Sequence, residues 1–522
     1  MVESVECLPP LFHSRIGGGI LNVPRSTSQP VVIVGAGPAG LTAAHELGLH
    51  GATAIVLEQD ACVGGLSRTE EYKGYCFDIG GHRFFTKVRS VQAMWKEVLG
   101  SDFLRRQRLS RIYYRSRFFQ YPIEPLDSLR GLGLAESILC GFSYLKALLI
   151  GPKDDTNLET WLIARFGRRL YRTFFKTYTE KVWGLACSEI SADWAGQRIR
   201  GLSISVVLKN AFAASSENRP KTLIQEFDYP SKGPGMMWTR TRDRVIAQGS
   251  QVITESPVEK IHWEPGRVIE VVANGICYPA SYFISSMPIR ELIEKLDPPP
   301  PDWVLAAAAE LRYRDFLTVA LVVKGVDLFP DNWIYVHDAA VKVARIQNYN
   351  NWSPMMVPDP STTCLGLEYF CFEGDHLWES SDEDLLARAR REIAKLGLAD
   401  PSHVIDGKVV RVPKAYPVYD DKYQNALEQI RKFLQQVPNL QLIGRNGMHR
   451  YNNQDHSMLT GMLAARNILG QGHFDLWKVN ADTDYHEDGF SLTEEEIQQM
   501  EASQPLTPSR LPVQKPDTLH RS

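Results

Sequence analysis

The chain has 522 residues, enough for about three to four domains of ordinary size. Hydrophobic residues make up 44% and charged residues 23% of the sequence, which is typical of a globular protein. The formal net charge is only −3, so neither a nucleic acid nor an anionic membrane is expected as the main partner. The eight cysteines form no CxxC pair, which argues against a zinc site and fits a reducing compartment.

The N-terminal stretch has no features of a secretory signal. Residues 1–29 are rich in Gly, Pro and Ser and lack an apolar core, so we predict a flexible leader on a cytoplasmic protein. The nearest approach to a membrane span is Gly131–Ile150. Because Glu136 and Lys146 would be costly in lipid, this stretch is predicted to be a buried or amphipathic helix.

The stretch Val31–Glu58 contains the parts of a dinucleotide-binding βαβ unit in order. Two apolar runs that read as buried strands flank a helical pattern that opens with the turn Gly35-Ala36-Gly37-Pro38-Ala39-Gly40. The three glycines permit a tight turn, close approach of a pyrophosphate and close helix–strand packing. The pyrophosphate would lie at the helix N-terminus. Glu58 follows at a spacing that suits a contact with a ribose hydroxyl.

A second glycine-rich stretch lies just beyond this unit. Gly64-Gly65-Leu66 precedes Arg68, a GGxxR pattern that suits a loop lying against cofactor phosphates. The pattern resembles the second motif of FAD enzymes in the amine-oxidase and glutathione-reductase-like superfamily. This resemblance favours FAD over NAD as the cofactor.

The next glycine pair, Gly80-Gly81, stands before His82 in the string GGHRFF. Such a pair suits a backbone that passes close to a flat ring; a turn beside a core histidine is the alternative. GGH in this place resembles the UDP-galactopyranose mutases, especially the eukaryotic type, whose histidine loop lies by the flavin. Arg83 and the two Phe that follow it depart from the mutase sequences and leave a different nucleotide sugar open.

Residues 106–225 lack a dinucleotide motif and are predicted to form an inserted helical substrate domain. They contain the string KVWG, with Trp183, followed by a W-x-G-x-R string that ends at Arg198. These residues could combine sugar stacking with phosphate binding, and an amphipathic helix with ordinary surface charges is the alternative. The strings resemble the mutase segment whose Trp lines the uridine–sugar cleft and whose Arg meets the diphosphate. KVWG matches the bacterial mutases better than the eukaryotic KVWA.

The alternation of residues 310–375 predicts a second, antiparallel sheet. Trp333, Tyr335 and Arg345 lie in strings that resemble a eukaryotic mutase run with a second diphosphate-binding arginine, although a surface strand arginine is the alternative for Arg345. Tyr416, before a proline, matches a mutase tyrosine that contacts the diphosphate. Val258 occupies a position whose backbone touches the adenine end in the superfamily.

The final motif runs from Leu442 to Ser457. A strand, a Gly444-Arg445 turn and a helix N-terminus form another anion site, and they resemble the closing FAD motif of the superfamily. The string NQDHS is close to the eukaryotic mutase version, in which Asn453 and the preceding Tyr451 approach the flavin and the sugar.

Together the motifs predict an α/β protein with a Rossmann-type, glutathione-reductase-like FAD-binding domain, an inserted helical domain and a second antiparallel sheet. The predicted division is a flexible leader (1–29), a discontinuous FAD-binding domain (30–105, 226–290 and 405–470), a helical substrate domain (106–225), an antiparallel-sheet substrate domain (291–404) and a tail (471–522) that is disordered from about residue 504.

The resemblance implies a flavoenzyme that interconverts pyranose and furanose forms of a UDP-galactose-type sugar without net redox. Reduced FAD, with NADPH as a candidate reductant, would attack the anomeric carbon through N5 and form a flavin–sugar adduct while UDP leaves. The alternative is a redox enzyme, similar to amine or protoporphyrinogen oxidases, that passes hydride from its substrate to FAD. No nucleic acid, metal or transmembrane segment is expected, and a homo-oligomer is a candidate assembly.

The resemblance assigns three sets of residues. The catalytic set is His82, Arg198, Arg345, Tyr416, Tyr451 and Asn453. The substrate-binding set is Trp183, Arg198, Trp333, Tyr335, Arg345, Tyr416 and Tyr451. The cofactor-binding set is Gly35, Gly37, Pro38, Ala39, Gly40, Glu58, Gly64, Gly65, Leu66, Arg68, Gly80, Gly81, His82, Val258, Gly444, Arg445, Asn453, Gln454 and Ser457.

Overall fold

The computed structural model describes residues 29–121, 131–151, 156–192 and 226–480. Most of the predicted leader, Arg198 and the tail from residue 481 lie outside the described residues. The strands are β1 (Val31–Val34), β2 (Ala54–Leu57), β3 (Thr69–Tyr72), β4 (Tyr75–Asp78), β5 (Phe103–Gln107), β6 (Ser110–Tyr114), β7 (Arg117–Gln120), β8 (Glu226–Pro230), β9 (Gln251–Ile253), β10 (Val258–Glu264), β11 (Arg267–Ala273), β12 (Ile276–Pro279), β13 (Phe283–Ser285), β14 (Leu296–Asp297), β15 (Tyr313–Lys324), β16 (Trp333–Val336), β17 (Arg345–Asn348), β18 (Thr362–Cys371), β19 (Val404–Pro417) and β20 (Leu440–Leu442).

The helices of the described ranges complete the architecture. They are α1 (Pro38–Leu49), α2 (Arg89–Leu99), α3 (Leu134–Ile150), α4 (Leu158–Leu170), α5 (Thr177–Trp183), α6 (Gly235–Ala247), α7 (Ile289–Glu294), α8 (Asp302–Glu310), α9 (Tyr349–Trp352), α10 (His376–Glu379), α11 (Asp382–Lys395), α12 (Tyr423–Leu434), α13 (Gly444–Gly447) and α14 (Gln454–Ile468). A π-helical stretch, Tyr171–Lys176, joins α4 to α5.

A five-stranded sheet of order β20-β13-β1-β2-β9 forms the centre of the molecule. All its strand pairs are parallel, and β1 is fully buried between β13 and β2. Helices α1 and α14 pack so closely that a Cβ on Gly461 would lie only 2.3 Å from the carbonyl oxygen of Ala39. The predicted α/β, Rossmann-type fold is therefore confirmed.

Two segments near this sheet lie elsewhere than the sequence predicted. We expected Val258–Ile261 to return to the FAD sheet, but β10 belongs to a separate four-stranded sheet of order β12-β11-β10-β14. The chain turns away at Glu255, which has a φ of 52°, and β10 then forms a hairpin with β11. Helices α7 and α8, predicted as part of the second-sheet domain, instead share the apolar core of the five-stranded sheet.

The predicted second sheet is present and has seven strands in the order β19-β15-β18-β17-β16-β6-β7. Strands β15 and β18 pair antiparallel, with Phe316 opposite Phe370. Strand β19, which the sequence assigned to the FAD-binding domain, is an edge strand of this sheet because its buried valines pair with β15.

Residues 106–121, the start of the insertion that was predicted to be mainly helical, form strands instead. They form β6 and β7, and β6 joins the seven-stranded sheet by parallel pairing with β16. The hairpin turn uses Arg115 and Ser116 at positive φ (49° and 59°). Arg-Ser is not a usual sequence signal for such a turn, which is normally made by Asn-Gly or Asp-Gly. The following helices, α3 to α5, agree with the prediction.

Candidate active site

The first two glycine-rich turns lie against each other. The backbone N–H of Gly64 donates to the carbonyl of Ala36 (2.9 Å), and a Cβ on Gly65 would lie 3.3 Å from Cα of Gly37. Within the described chain, no side chain caps the N-terminus of α1 at Gly37. An uncapped helix N-terminus beside these two loops, a region called the crevice below, fits the pyrophosphate of a dinucleotide.

Glu58 anchors the turn that precedes α1. Its carboxylate accepts hydrogen bonds from the backbone N–H groups of Ala36 (2.7 Å) and Asp60 (3.0 Å), and burial raises its pKa. The N–H of Gln59 also donates to it, and since a carboxylate has about four lone-pair sites, one remains for a ribose hydroxyl. Val258 lies nearby in the chain: Ser256 donates its N–H to the carbonyl of Glu58 (2.7 Å) just before β10 begins.

Arg68 is more occupied than the sequence suggested. Its guanidinium forms ion pairs with Asp60 (2.9 Å) and Glu70 (2.7 Å). These two carboxylates offset the positive charge of Arg68, which was predicted to bind the cofactor phosphates. Contact of Arg68 with a phosphate therefore stays a prediction, while its contacts within the chain fix the Gly64–Ser67 loop.

The third glycine-rich region, from the C-terminal part of the chain, borders the same crevice, because a Cβ on Gly444 would lie 3.1 Å from Cβ of Ala39. Gly444 has a φ of 77°, and its N–H donates to Oγ1 of Thr460 (3.0 Å). Asn453 is the N-cap residue of α14 and donates its N–H to Nδ1 of His456 (3.3 Å). Ser457, in the first turn of the helix, is buried.

Gln454 provides the clearest sign that α14 faces a ligand. Both polar atoms of its side-chain amide, Oε1 and Nε2, are buried without a hydrogen-bond partner in the parts of the chain that the structure describes. A buried amide left unpaired costs about 1–3 kcal/mol. The edge of a flavin ring carries both donors and acceptors, so the residues present fit the cofactor that the motifs predict.

His82 is held in one tautomer by the loop that contains it. Its Nδ1 lies 3.0 Å from the carbonyl oxygen of Gly80, which can only accept, so Nδ1 carries the proton. Burial, with the nearby charge of Arg445, lowers the pKa of His82 to about 4. The imidazole is therefore neutral at pH 7, and its Nε2 can accept a hydrogen bond.

Arg345 is at the centre of the polar cluster in front of this loop. Its Nε donates to the hydroxyl of Tyr178 (2.8 Å), and its Nη1 lies 3.2 Å from Oε2 of Glu368 and 3.3 Å from the hydroxyl of Tyr416. Nη2 makes no hydrogen bond with any described residue. The arginine thus keeps one N–H₂ group for a ligand.

The charges of this cluster are set by burial. Burial alone would lower the pKa of Arg345, but Tyr178, Tyr416 and Glu368 raise it well above its usual value. Burial also raises the pKa of Glu368, against the pull of Arg345 and a hydrogen bond from Gln347 (2.7 Å). Burial raises the pKa of Tyr416 to about 12, so its hydroxyl remains a proton donor at neutral pH.

Three aromatic side chains connect Arg345 to the C-terminal motif. The ring of Tyr416 lies 6.3 Å from that of Trp183 and 5.3 Å from that of Tyr451. The Cζ atom of Arg445 lies 5.3 Å from the centre of the Tyr416 ring and 4.6 Å from that of Tyr451. Arg445 itself is fixed by hydrogen bonds from Nε to Asn452 O (2.9 Å) and from Nη1 to Ala415 O (3.1 Å).

Trp333 lies between two arginines. The Cζ atoms of Arg345 and Arg83 are 5.3 and 5.4 Å from the centre of its ring, and Tyr335 stacks beside it at 5.6 Å. A Cβ on Gly81 would overlap this indole, so only glycine lets the ring pack on the loop backbone. Arg83, which departs from the mutase pattern, also donates to Oγ of Ser110 (2.9 Å).

The contacts above connect most of the described site residues of the sequence prediction into one region. Val258 is linked to it only through Ser256 and Glu58, and Arg198 lies outside the described residues. Two members were not predicted, Glu368 and Tyr178. Glu368 had a visible signal, because it is the only charged residue in the ten-residue apolar strand β18. Tyr178 precedes the KVWG string, but its distance from Arg345 in sequence hid the contact.

Comparison with known proteins places this fold in a family. A model described as flavin containing amine oxidoreductase matches residues 38–469. The chain belongs to this family. Its fold is similar to that of a reduced UDP-galactopyranose mutase, with a TM-score of 0.77 at 22% identity over 89% of this chain and 100% of that one. The structure is accordingly that of a flavoprotein of the amine oxidase superfamily whose fold is like that of the mutase.

Redox enzymes of the superfamily are similar as well. A protoporphyrinogen oxidase candidate from Exiguobacterium sp. 255-15 has a TM-score of 0.68 at 18% identity, covering 86% of this chain and 100% of that one. A putrescine oxidase bound to putrescine has a TM-score of 0.57 at 18% identity, covering 85% and 99%. The family implies FAD and an enzyme, and these likenesses show the fold that both kinds of chemistry share.

Proposed function

We propose that the protein is a nucleotide-sugar mutase that uses reduced FAD to interconvert the pyranose and furanose forms of a UDP-galactose-type sugar. One observation carries the proposal. Arg345 and Arg445 lie on two sides of Tyr416, and neither uses its Nη2 in a hydrogen bond within the described chain. Two guanidinium groups beside one tyrosine, each with a free N–H₂, suit a diphosphate, whose oxygens accept charge-assisted hydrogen bonds.

The charge of the crevice favours an anion over an amine. Arg345 and Arg445 contribute two positive charges, and Glu368 offsets at most one of them. A protonated amine would meet this net positive charge in a buried site, where screening by water is weak. A diphosphate would instead be stabilised there, in the ground state and while the bond to the sugar breaks.

The aromatic residues supply the rest of the proposed site. Trp183, Tyr416 and Tyr451 form a wall that can stack on uracil or on an apolar sugar face. The hydroxyls of Tyr178 and Tyr416 are kept protonated by burial and can donate to phosphate or sugar oxygens. When bound, reduced FAD supplies the electron pair that displaces UDP from the anomeric carbon.

The remaining chain residues orient the reactants. Glu368 holds Arg345 in one direction through their ion pair. His82 offers Nε2 as an acceptor for a hydroxyl or a ring N–H. Arg198 is proposed as the other predicted diphosphate arginine, and Arg83 is proposed to support the ring of Trp333.

Calorimetric titration of the flavin-loaded protein with UDP tests the proposal. We expect saturable binding of UDP and no binding of putrescine, which serves as the matched cationic probe. Absence of UDP binding, together with substrate-dependent reduction of the flavin by an amine, would refute the nucleotide-sugar site and favour an oxidoreductase.

A further inference from the structure

Helix α3 presents an apolar surface to solvent. Eight large hydrophobic side chains of this helix are between 44% and 83% exposed, and only Cys140 is buried. The eight are Leu134, Ile138, Leu139, Phe142, Leu145, Leu148, Leu149 and Ile150. A contiguous exposed set of this size exceeds the patches common on monomeric proteins and marks an interaction surface.

The opposite side of α3 is fixed to the rest of the helical region. Glu136 receives two hydrogen bonds from Arg169 (2.5 and 2.6 Å), and Oγ of Ser143 accepts from the N–H of Arg169 (3.0 Å). Gly167 allows close approach, because a Cβ there would lie 2.8 Å from the backbone nitrogen of Tyr144. The apolar surface is therefore held outward by specific contacts.

Basic residues lie on and beside this surface in the part of the chain that the structure describes. Lys146 projects from α3 among the apolar residues and is exposed. Arg115 and Arg117, at the exposed β6–β7 turn, lie near the start of the helix, where Nη1 of Arg117 donates to the carbonyl of Gly131 (2.9 Å). The only acid of α3, Glu136, is already neutralised by Arg169. Among the described residues of this surface, the charge is therefore positive, although the whole chain is slightly acidic.

We propose that α3 is an anchor on an anionic lipid surface, with its exposed apolar side chains among the acyl chains and Lys146, Arg115 and Arg117 at the headgroups. No helix in the described ranges is long and apolar enough to cross a membrane, so α3 would lie in the plane of the interface. Basic residues beside such a helix add attraction to anionic lipids. A second copy of the chain fits less well, because a symmetric contact would bring like charges together.

Flotation of the full-length flavoprotein with vesicles tests this anchor. Vesicles of phosphatidylglycerol and phosphatidylcholine are compared with vesicles of phosphatidylcholine alone. The parent is expected to float with the anionic vesicles and to lose binding at high salt. The triple variant Phe142→Ser/Leu145→Ser/Leu149→Ser should bind at least tenfold less, and Lys146→Glu should weaken only the binding to anionic vesicles.

Matched controls separate lipid binding from folding and from self-association. Ile276→Ser and Val326→Ser remove comparably exposed apolar side chains elsewhere and should float like the parent. Flavin absorbance and the melting temperature verify the fold of every variant. Flotation that is absent in the parent, or unchanged in the folded triple variant, would overturn the proposal. A parent dimer that the triple variant converts to monomer without vesicles would assign the surface to a second copy instead.

Discussion

Arg345 and Glu368 form an ion pair across neighbouring strands of the seven-stranded sheet, with Nη1 3.2 Å from Oε2 and the carboxylate fully buried. A buried pair of this kind contributes little net stability, but the loss of one partner leaves an uncompensated charge. In this protein the pair lies where the diphosphate is proposed to bind. The charge of Arg345 should therefore affect both the stability of the fold and the affinity for the ligand.

Glu368→Gln is expected to destabilise the ligand-free protein, by about 3 kcal/mol, because Arg345 loses its counter-charge. UDP should then restore stability, since the diphosphate supplies negative charge to the same guanidinium. Thermal unfolding with and without UDP measures this, and the UDP-induced rise in melting temperature should be larger in the variant than in the parent. An equal or smaller rise would contradict the proposed place of the diphosphate.

Glu392→Gln is the matched control for that variant. Glu392 is also buried, but it accepts hydrogen bonds from the backbone N–H groups of Lys342 and Val343 (2.9 Å each) and not from Arg345. Its replacement should lower the melting temperature without enlarging the effect of UDP.

Replacement of Arg345 should weaken UDP binding without loss of flavin. Arg345→Ala alone would leave Glu368 buried and unpaired, so the double variant Arg345→Met/Glu368→Gln removes both charges. Its UDP affinity should fall roughly ten- to hundredfold, or about 1.5–3 kcal/mol. Arg345→Lys should retain part of the affinity, because it keeps the positive charge but lacks the N–H₂ group that the other contacts of the guanidinium hold in place.

Arg411→Met serves as the control for these arginine variants. Arg411, on β19, pairs with Asp382 at the start of α11 (2.6 Å) and contacts none of the site residues. The replacement of Arg411 should therefore leave the affinity for UDP unchanged. If calorimetry finds the same dissociation constant in the double variant and the parent, Arg345 has no role in nucleotide binding.

Gln454→Leu tests the position of the flavin. The amide of Gln454 makes no hydrogen bond in the described structure, so its replacement should leave the flavin-free protein at least as stable. Retention of FAD should nevertheless decrease about tenfold if the amide bonds to the ring. Absorbance at the flavin band after dialysis provides the measurement, and undiminished FAD content would place the flavin elsewhere. Gln471→Leu, which removes another buried, unpaired Oε1 beyond the end of α14, should keep its FAD.

His449 should make stability depend on pH. Burial lowers its pKa from 6.5 to about 4, so between these values the unfolded state binds a proton that the folded state does not. Its contribution therefore becomes destabilising as pH falls below 6.5 and reaches about 2 kcal/mol at pH 5. Asp78, whose pKa burial raises to about 7, acts in the opposite direction, so only the difference between His449→Gln and the parent isolates the histidine. Denaturant unfolding at pH 7.5 and 5 should show a smaller loss in the variant; identical losses would contradict this assignment.

The cofactor half of the molecule could be predicted because its signals are local. The Gly35–Gly40 turn, its flanking strands and Glu58 occur within one βαβ unit, and each has a single physical reason to be there. The Gly80-Gly81 pair is also a local signal in the sequence. The structure gives its reasons, which are the positive φ of Gly80 and the packing of Trp333 on Gly81.

The substrate side depends on contacts that are distant in sequence. Tyr178 contacts Arg345 from a helix and Glu368 contacts it from a neighbouring strand. No local sequence pattern predicts either contact. Residues 405–417 were assigned to the FAD-binding domain, because their pairing with β15 joins segments about ninety residues apart that no local pattern connects. The β6–β7 hairpin was missed because its turn uses Arg115 and Ser116.

The conversion of UDP-galactofuranose by the purified protein tests the central proposal most directly. Protein reduced with dithionite and oxidised protein are incubated with the substrate in parallel, and the products are separated by chromatography. The account predicts that UDP-galactopyranose forms only with the reduced protein and that the flavin remains reduced throughout. Equal conversion in both redox states, or no conversion of any UDP-sugar alongside hydride transfer from another substrate to the flavin, would contradict it.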